Sequence, residues 1–265
     1  MLIVDTHCHV SPVWYEPVEA LLHQMDRNGV ERAILVQIRG QADNEYQFEC
    51  VGRYPDRLAS VVVVDTDRTD AADELERLVE RGAHGLRLWT DTRSRGDDPL
   101  LIWRKAAELG LPVTCGGDVR SFASDQFAAL VEALPKLPIV VEHLGSVNNS
   151  DGEAAPHELR RKAFALARFP NVYLKIHGLG EFATRAMPAR QPFPFVEPVP
   201  PLLELAYEAF GPRRMMWGSD FPPVSGREGY ANALRFTLER FADKSEEERA
   251  LIFGGTAGSV FGIGG

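Results

Sequence analysis

Histidine and carboxylate side chains are the residues of this sequence whose types and spacing favour catalysis. His7 and His9 stand two residues apart in the segment DTHCH. His143 lies in VEHLG and Asp220 lies in MWGSDF. Side chains two residues apart on a strand point to the same face, so the paired imidazoles are neighbours. Because imidazole and carboxylate groups serve acid–base catalysis and divalent metal binding, we expect one reactive site wherever the fold brings these four residues together.

A second group of residues is suited to holding a substrate. Arginine binds a carboxylate through two parallel hydrogen bonds, which favours an anionic ligand. Trp89 offers an aromatic face beside Arg87, and Cys115 is expected to line the pocket or to act as a soft metal ligand. The candidates for substrate contact are Arg39, Arg87, Trp89, Cys115, Lys175 and His177.

Eight short runs rich in Val, Ile and Leu predict the strands that position these residues. Turn residues bound each run, and a helical pattern follows it, which is typical of parallel βα units. The runs cover residues 2–10, 32–38, 58–65, 83–89, 111–117, 138–145, 171–178 and 214–221. Each candidate named above falls in or directly after one of these runs.

Apolar residues at helical spacing predict the intervening helices. Val18, Leu21, Leu22 and Met25 share one face before Gly29, and Ser245 with Glu248 predicts a capping box at the last helix. Leu75, Leu78 and Val79 predict another helix before Gly82, and further helices are predicted over residues 43–54, 99–110, 122–134, 157–168, 200–210, 229–242 and 246–253.

Eight strands alternating with helices predict an α/β fold, a single-domain (β/α)8 TIM barrel over residues 1–265. Neither GxGxxG nor GxxxxGK[ST] occurs, which disfavours an open nucleotide-binding sheet. Barrel active sites lie at the carboxyl ends of the strands, so His7, His9, His143 and Asp220 should converge there. The proline-rich stretch 179–201 is a lid over the mouth or a surface excursion, with Phe193 and Phe195 expected to be exposed.

Composition restricts the partners and the location. The chain has 29 basic and 38 acidic residues, a net charge of −9, which disfavours nucleic acid and anionic membranes. Cys8, Cys50 and Cys115 are too scattered for a disulfide framework, and neither a signal peptide nor a membrane span is recognisable. We therefore expect a cytoplasmic protein that acts on a small molecule. The sequence does not predict its oligomeric state.

DTHCH, VEHLG, YLKIHGL, MWGSDFP and the closing GGTAGSVFGI together resemble the amidohydrolase superfamily. The resemblance is to the amidohydrolase 2 branch, metal-dependent hydrolases of the TIM-barrel fold, although many relatives have Asn where this chain has Thr256. Members with a full metal site usually add a histidine on the fifth strand and, when binuclear, a lysine on the fourth. This chain has Cys115 or Gly116 in place of the fifth-strand histidine, and Arg87 in place of the fourth-strand lysine. The resemblance thus implies either one Zn²⁺ or Mn²⁺ held by His7, His9 and Asp220, or metal-independent action.

The residue pattern is most similar to the lactonase branch of that family. This implies hydrolysis of a sugar-acid or dicarboxylate-type lactone, with Asp220 as general base and His143 donating or shuttling a proton. One alternative is a metal-dependent nonoxidative decarboxylase of an aromatic or muconate-type acid, although that branch normally keeps the fifth-strand histidine. A second alternative is a barrel that binds a ligand without turnover.

Overall fold

A computed structural model describes residues 1–146 and 155–263, and the eight predicted strands form one parallel sheet in sequence order. The strands are β1 Val4–Cys8, β2 Arg32–Val36, β3 Leu58–Val62, β4 Gly85–Trp89, β5 Val113–Gly116, β6 Ile139–Val141, β7 Val172–Ile176 and β8 Met215–Trp217. Each strand is shorter than its apolar run, which extends beyond the strand at one or both ends. The predicted (β/α)8 barrel is confirmed.

The first and last strands close the barrel just beyond the end of β8. The Asp220 backbone N–H donates to the carbonyl of His7 at 2.8 Å, and the His9 N–H donates to Phe221 at 2.7 Å. Asp5 adds side-chain bonds, because its carboxylate accepts from the backbone and hydroxyl of Ser219 and from the Tyr230 hydroxyl. The seam between the two ends of the sequence is therefore hydrogen-bonded beside the candidate histidines.

A bulge in β1 determines which side chains face the barrel interior. Asp5 pairs with Ala33 and Cys8 with Leu35, so three steps along β1 oppose two along β2. Val4 packs with the apolar interior of the barrel, whereas Asp5 points to the helical layer. The extra residue reverses the alternation, so the imidazole of His7 points inward and the thiol of Cys8 outward.

The helices surround this sheet. They are α1 Val18–Asn28, α2 Glu45–Arg53, α3 Ala71–Glu80, α4 Leu101–Glu108, α5 Val119–Phe122, α6 Asp125–Ala133, α7 Glu158–Phe164, α8 Leu202–Phe210, α9 Tyr230–Arg240, α10 Glu246–Ala250 and α11 Thr256–Phe261. The predicted helix over 122–134 is wrong at its start, because Ser124 interrupts it and caps α6. The predicted capping box of Ser245 and Glu248 is confirmed at α10, and the π-helical turn Leu251–Gly255 joins α10 to α11.

The stretch 179–201 packs against α9. Phe195 is buried and Phe193 is half-buried, with ring centroids 5.7 and 5.3 Å from that of Phe236. Their predicted exposure is therefore wrong, because both rings join an aromatic cluster. Met187 and Val196 are the exposed large apolar residues of this stretch.

None of the helices in the two described ranges is both long and apolar enough to span a bilayer. All three cysteines are buried free thiols.

Candidate active site

The four residues predicted to converge do so at the carboxyl ends of β1, β6 and β8. The Asp220 Oδ1 atom lies 3.5 Å from His9 Nε2 and 3.9 Å from His7 Nε2. The ring centroid of His143 is 4.8 Å from that of His7. The His7 side chain is fully buried. These side chains therefore form one compact polar cluster at the barrel mouth.

Two members of the cluster have left-handed backbone conformations. The φ angles are +50° at His143 and +57° at Asp220, which L residues other than Asn and Asp seldom adopt. Beside His143, the buried Arg160 guanidinium donates to the carbonyls of Leu144 and Ser146, each at 2.7 Å. Such strained conformations cluster at functional sites, where the surrounding structure maintains them.

Two glycines make the dense packing possible. A Cβ atom at Gly218 would lie 2.8 Å from the Cβ of His7, and one at Gly116 would lie 2.7 Å from Nε1 of Trp89. Gly116 has the inward-facing position of β5, since its neighbour Cys115 packs in the outer core. The Trp89 indole takes the space that a fifth-strand side chain would need. This is the physical reason why no histidine stands there.

His7, His9 and Asp220 fit a single divalent metal ion. The His9 Nδ1–H donates to the Val36 carbonyl at 2.6 Å, which directs Nε2 of the ring to Asp220. Among the described residues, Nε2 of His7 has no hydrogen-bond partner although it is buried. One ligand atom from each of the three residues lies within 4.8 Å of the others. Two imidazole nitrogens and a carboxylate are a donor set typical of catalytic zinc.

Arg87 is at the mouth, but its guanidinium is already engaged. Nε and Nη2 donate to the two carboxylate oxygens of Glu142 at 2.9 and 2.8 Å, and Nη1 donates to the Gln37 carbonyl. Burial opposes ionisation of Glu142, but Arg87 outweighs this and lowers the pKa of the carboxyl. The sequence analysis missed Glu142, although inward alternation along β6 from Val140 would have indicated it. Its Oε1 lies 3.9 Å from Nδ1 of His7.

Lys175 and His177 lie below the mouth without exposed surface, so their placement does not match the predicted contact with substrate. Lys175 Nζ is 3.4 Å from Nδ1 of His7, and burial lowers the pKa of its ammonium group to about 7. The His177 ring stacks on His143 with centroids 4.0 Å apart and planes 5° from parallel. Burial and the charge of His143 hold the pKa of His177 well below its usual value.

Cys115 requires a correction. Its side chain is buried in the apolar core with Leu88 and Val141, the residues beside it in register, and so does not line the mouth. The alternation of β5 turns Gly116 inward and the thiol outward. Burial raises the pKa of Cys115 well above its usual value, so the thiol stays protonated.

A cleft of about 550 Å³ opens beside the cluster. In this cleft the exposed guanidinium of Arg39 stacks over the half-buried ring of Trp89. The Cζ atom of Arg39 lies 5.1 Å from the ring centroid. Among the described contacts Arg39 has neither a hydrogen bond nor an ion pair, in contrast to Arg87. The cleft is lined by Arg39, Arg87, Trp89, Thr90, Asp91, Gly116, Gly117, Asp118, Ser121, Glu142 and His143.

Three charged residues that the sequence analysis missed surround the other side of the cluster. Arg227 Nη1 donates to Oδ2 of Asp220 at 2.9 Å, and its Nη2 pairs with Glu181. Glu181 Oε2 is 3.7 Å from Nδ1 of His143, and Glu228 lies beside Arg227 Nε. These residues come from loops after β7 and β8, where neither periodicity nor a motif indicates which side chains turn inward.

The surroundings of Asp220 and His143 favour opposite charges on the two groups. Burial disfavours the Asp220 anion, but hydrogen bonding to His9 and the charge of His143 outweigh it and hold the pKa well below the usual range. Burial likewise disfavours the His143 cation, but Glu181 and Asp220 raise its pKa above the usual value. His7 beside them is neutral, because burial and Lys175 hold its pKa well below the usual value. Paired groups with pKa values driven apart are the arrangement of acid–base catalysts.

Comparison with known proteins identifies relatives of this arrangement. The family described as Amidohydrolase matches residues 4–263. An L-fucono-1,5-lactonase from Burkholderia ambifaria is 28% identical over 240 residues, which are 87% of this chain and 80% of the relative. A 4-sulfomuconolactone hydrolase from Rhizobium radiobacter is 27% identical over 216 residues, covering 78% and 66% respectively.

A solved amidohydrolase structure from Burkholderia multivorans with bound Zn has the same fold. It superposes with a TM-score of 0.77 at 22% identity and covers all of both chains.

Proposed function

Because the chain belongs to the amidohydrolase family, we propose that it is a hydrolase that opens a lactone. The observation that carries this proposal is the pairing of Asp220, favoured as an anion, with His143, favoured as a cation, within 4.8 Å of each other beside His7. Two relatives over most of this chain are a fuconolactonase and a sulfomuconolactone hydrolase, which favours lactone hydrolysis over decarboxylation.

The geometry supports complementary roles for Asp220 and His143. Asp220 takes a proton from water as the water oxygen bonds to the ring carbonyl carbon. The ring C–O bond then breaks, and His143 gives its proton to the leaving oxygen, so the product is an open-chain hydroxy acid. Positioned acid and base groups of this kind each contribute about 10² to 10⁴ in rate.

We propose that His7, His9 and Asp220 hold one Zn²⁺ or Mn²⁺. The orphaned Nε2 of His7 and the fixed ring of His9 support this assignment. A bound ion would polarise the lactone carbonyl and favour ionisation of water. Without an ion, the His143 imidazole and the Arg227 guanidinium, which lies 2.9 Å from Asp220, remain as positive groups beside these residues, so metal-independent action stays an alternative.

We further propose an anionic substrate, bound in the cleft by Arg39. The guanidinium is exposed, stacks on Trp89 and has no carboxylate partner among the described contacts, so it can bind an acidic group of the substrate. Arg87 and Glu142 neutralise each other and form the floor of this cleft. The three unpaired thiols suit a cytoplasmic location.

The test is a lactone panel assayed with wild type, Asp220→Asn and His143→Gln, using His23→Gln on the exposed face of α1 as the control. Each active-site change should lower kcat by roughly 10²-fold or more, whereas the control should not. Full turnover by Asp220→Asn would refute the base assignment.

Arg39→Gln tests the substrate charge. It should raise KM about tenfold or more for acidic lactones while leaving neutral lactones unchanged, since one charge-assisted hydrogen bond contributes about 1.5 to 3 kcal/mol. Equal effects on both kinds of lactone would contradict an anion-binding role.

A further inference from the structure

Three carboxylates from two loops converge on the guanidinium of Arg227. Its Nη1 is 2.9 Å from Oδ2 of Asp220, its Nη2 pairs with Oε1 of Glu181, and its Nε is 3.7 Å from Oε2 of Glu228. The carboxylates are almost completely buried, whereas the Arg227 side chain is 25% exposed. One cation therefore bridges groups that would otherwise repel one another.

Arg227 gives the two carboxylate oxygens of Asp220 different partners. Oδ2 accepts from Arg227, and Oδ1 faces Nε2 of His9 and of His7. A carboxylate without this bond could rotate about its Cβ–Cγ bond, which is a soft torsion. The guanidinium therefore fixes which oxygen is presented to the histidines.

The same guanidinium acts on His143 through Glu181. Oε1 of Glu181 pairs with Arg227, while Oε2 is 3.7 Å from Nδ1 of His143. A carboxylate beside one imidazole nitrogen holds the proton there and leaves the other nitrogen to exchange protons. Arg227 thus connects the residues that we propose as base and acid.

Glu228 holds the two loops together around Arg227. Its Oε1 accepts from the backbone N–H of Gly180 at 3.1 Å, and no Cβ atom would fit at Gly178 or Gly180 beside its carboxylate. The loop that carries Glu181 is therefore packed without a gap against the loop that carries Arg227. This tight packing limits the movement of the Arg227 guanidinium.

We propose that Arg227 is a positioning residue that aligns Asp220 and His143 with each other by bonding Asp220 directly and His143 through Glu181. This role rests on the proposed function. It predicts that the planar shape of the Arg227 guanidinium matters as well as its charge, because a lysine ammonium is a point charge that cannot bond two carboxylates in a fixed geometry.

Kinetics of Arg227→Ala and Arg227→Lys test the role. Arg227→Ala should lower kcat about 10²-fold with KM changed less than threefold, and Arg227→Lys should recover only part of the loss. Millimolar guanidinium should restore Arg227→Ala at least tenfold, because the site is open to solvent. Arg53→Ala removes a surface guanidinium that binds Glu19 and is the control for any general effect of the salt. A kcat within twofold of wild type in both Arg227 variants would overturn the proposal.

Two further measurements separate alignment from simple support of the fold. In the double variant Arg227→Ala/Glu181→Gln the losses of kcat should be less than additive, since both changes release His143. Fully additive losses of kcat would contradict the link through Glu181. Nitrogen-15 spectra of the histidine rings need no substrate. The His143 ring signals, assigned with His143→Gln, should shift in Arg227→Ala and stay in place in Arg53→Ala.

These spectra also distinguish the two proposals. If no lactone is opened by wild type, the proposed function fails while the ring signals still test the alignment. Unchanged His143 signals in folded Arg227→Ala would overturn the alignment whatever the substrate. If Arg227→Ala does not fold, the kinetics and the ring spectra of Arg227→Lys provide the test.

Discussion

Arg87 and Glu142 form a two-point ion pair that crosses the barrel interior above β5. The nitrogen–oxygen distances are 2.9 and 2.8 Å, and both side chains are buried. Gly116 leaves room for the pair, and Trp89 stacks beside it. The structure thus places a neutral pair near the position where relatives with a full metal site have a fifth-strand ligand.

We expect the loss of one partner of this pair to destabilise the protein more than the loss of both. Arg87→Met or Glu142→Gln leaves an uncompensated buried group and should lower the free energy of unfolding by about 3 to 5 kcal/mol. Arg87→Met combined with Glu142→Leu should recover much of that loss. Urea unfolding measures all three variants, and a double variant less stable than either single variant would contradict the prediction.

The rate of lactone opening should fall as the pH rises through the pKa of His143. The cation is the proposed active form, and Glu181 and Asp220 raise its pKa above 6.5 against the effect of burial. Activity is therefore retained below the raised pKa and lost above it. Glu181→Gln should move the alkaline limb of the kcat/KM profile to lower pH, and an unmoved limb would exclude His143 as the group that titrates.

Glu228 should make folding stability fall between about pH 4.5 and pH 7. Burial raises the pKa of this carboxyl from 4.5 to about 7, so across that window the folded state holds a proton that the unfolded state releases. At about 1.4 kcal/mol per unit, the loss is about 3 kcal/mol.

Glu228→Gln should match wild type at pH 5 and exceed its stability at pH 8. Denaturant unfolding at both pH values provides the comparison. A variant less stable at both would show that the carboxylate charge stabilises the fold.

Zinc binding should depend on His7 and His9 but not on His23. Loss of an outer-shell partner typically costs 10- to 100-fold in metal affinity, so removal of a ligand should cost roughly 100-fold or more. Competition with a chromophoric chelator measures the affinity of His7→Ala, His9→Ala and the control His23→Ala. Equal affinity in all three would place any bound zinc elsewhere.

Strand periodicity predicted the core of this site, because alternation along a strand is a local property of the sequence. It placed His7 and His9 on one face, and the barrel rule placed His143 and Asp220 beside them. The β1 bulge lies between Asp5 and Cys8, and His7 and His9 nevertheless both reach Asp220.

The residues that orient the core could not be predicted in the same way. Glu181 and Arg227 lie in irregular loops, and their pairing depends on how two loops pack in space. Cys115 was misplaced because the end of the apolar run in β5 does not reveal which residue faces inward. Glu142 lies next to His143, and alternation along β6 from the inward-facing Val140 indicates its position.

The seam at Asp5 and Ser219 joins residues 214 positions apart, and the same seam holds His7 against Asp220. The reactive cluster therefore cannot exist on a nascent or partly folded chain that lacks β8. During refolding, catalytic competence should arise only with final ring closure, after most of the helical signal has returned. Turnover would then report the last long-range event in the assembly of this barrel.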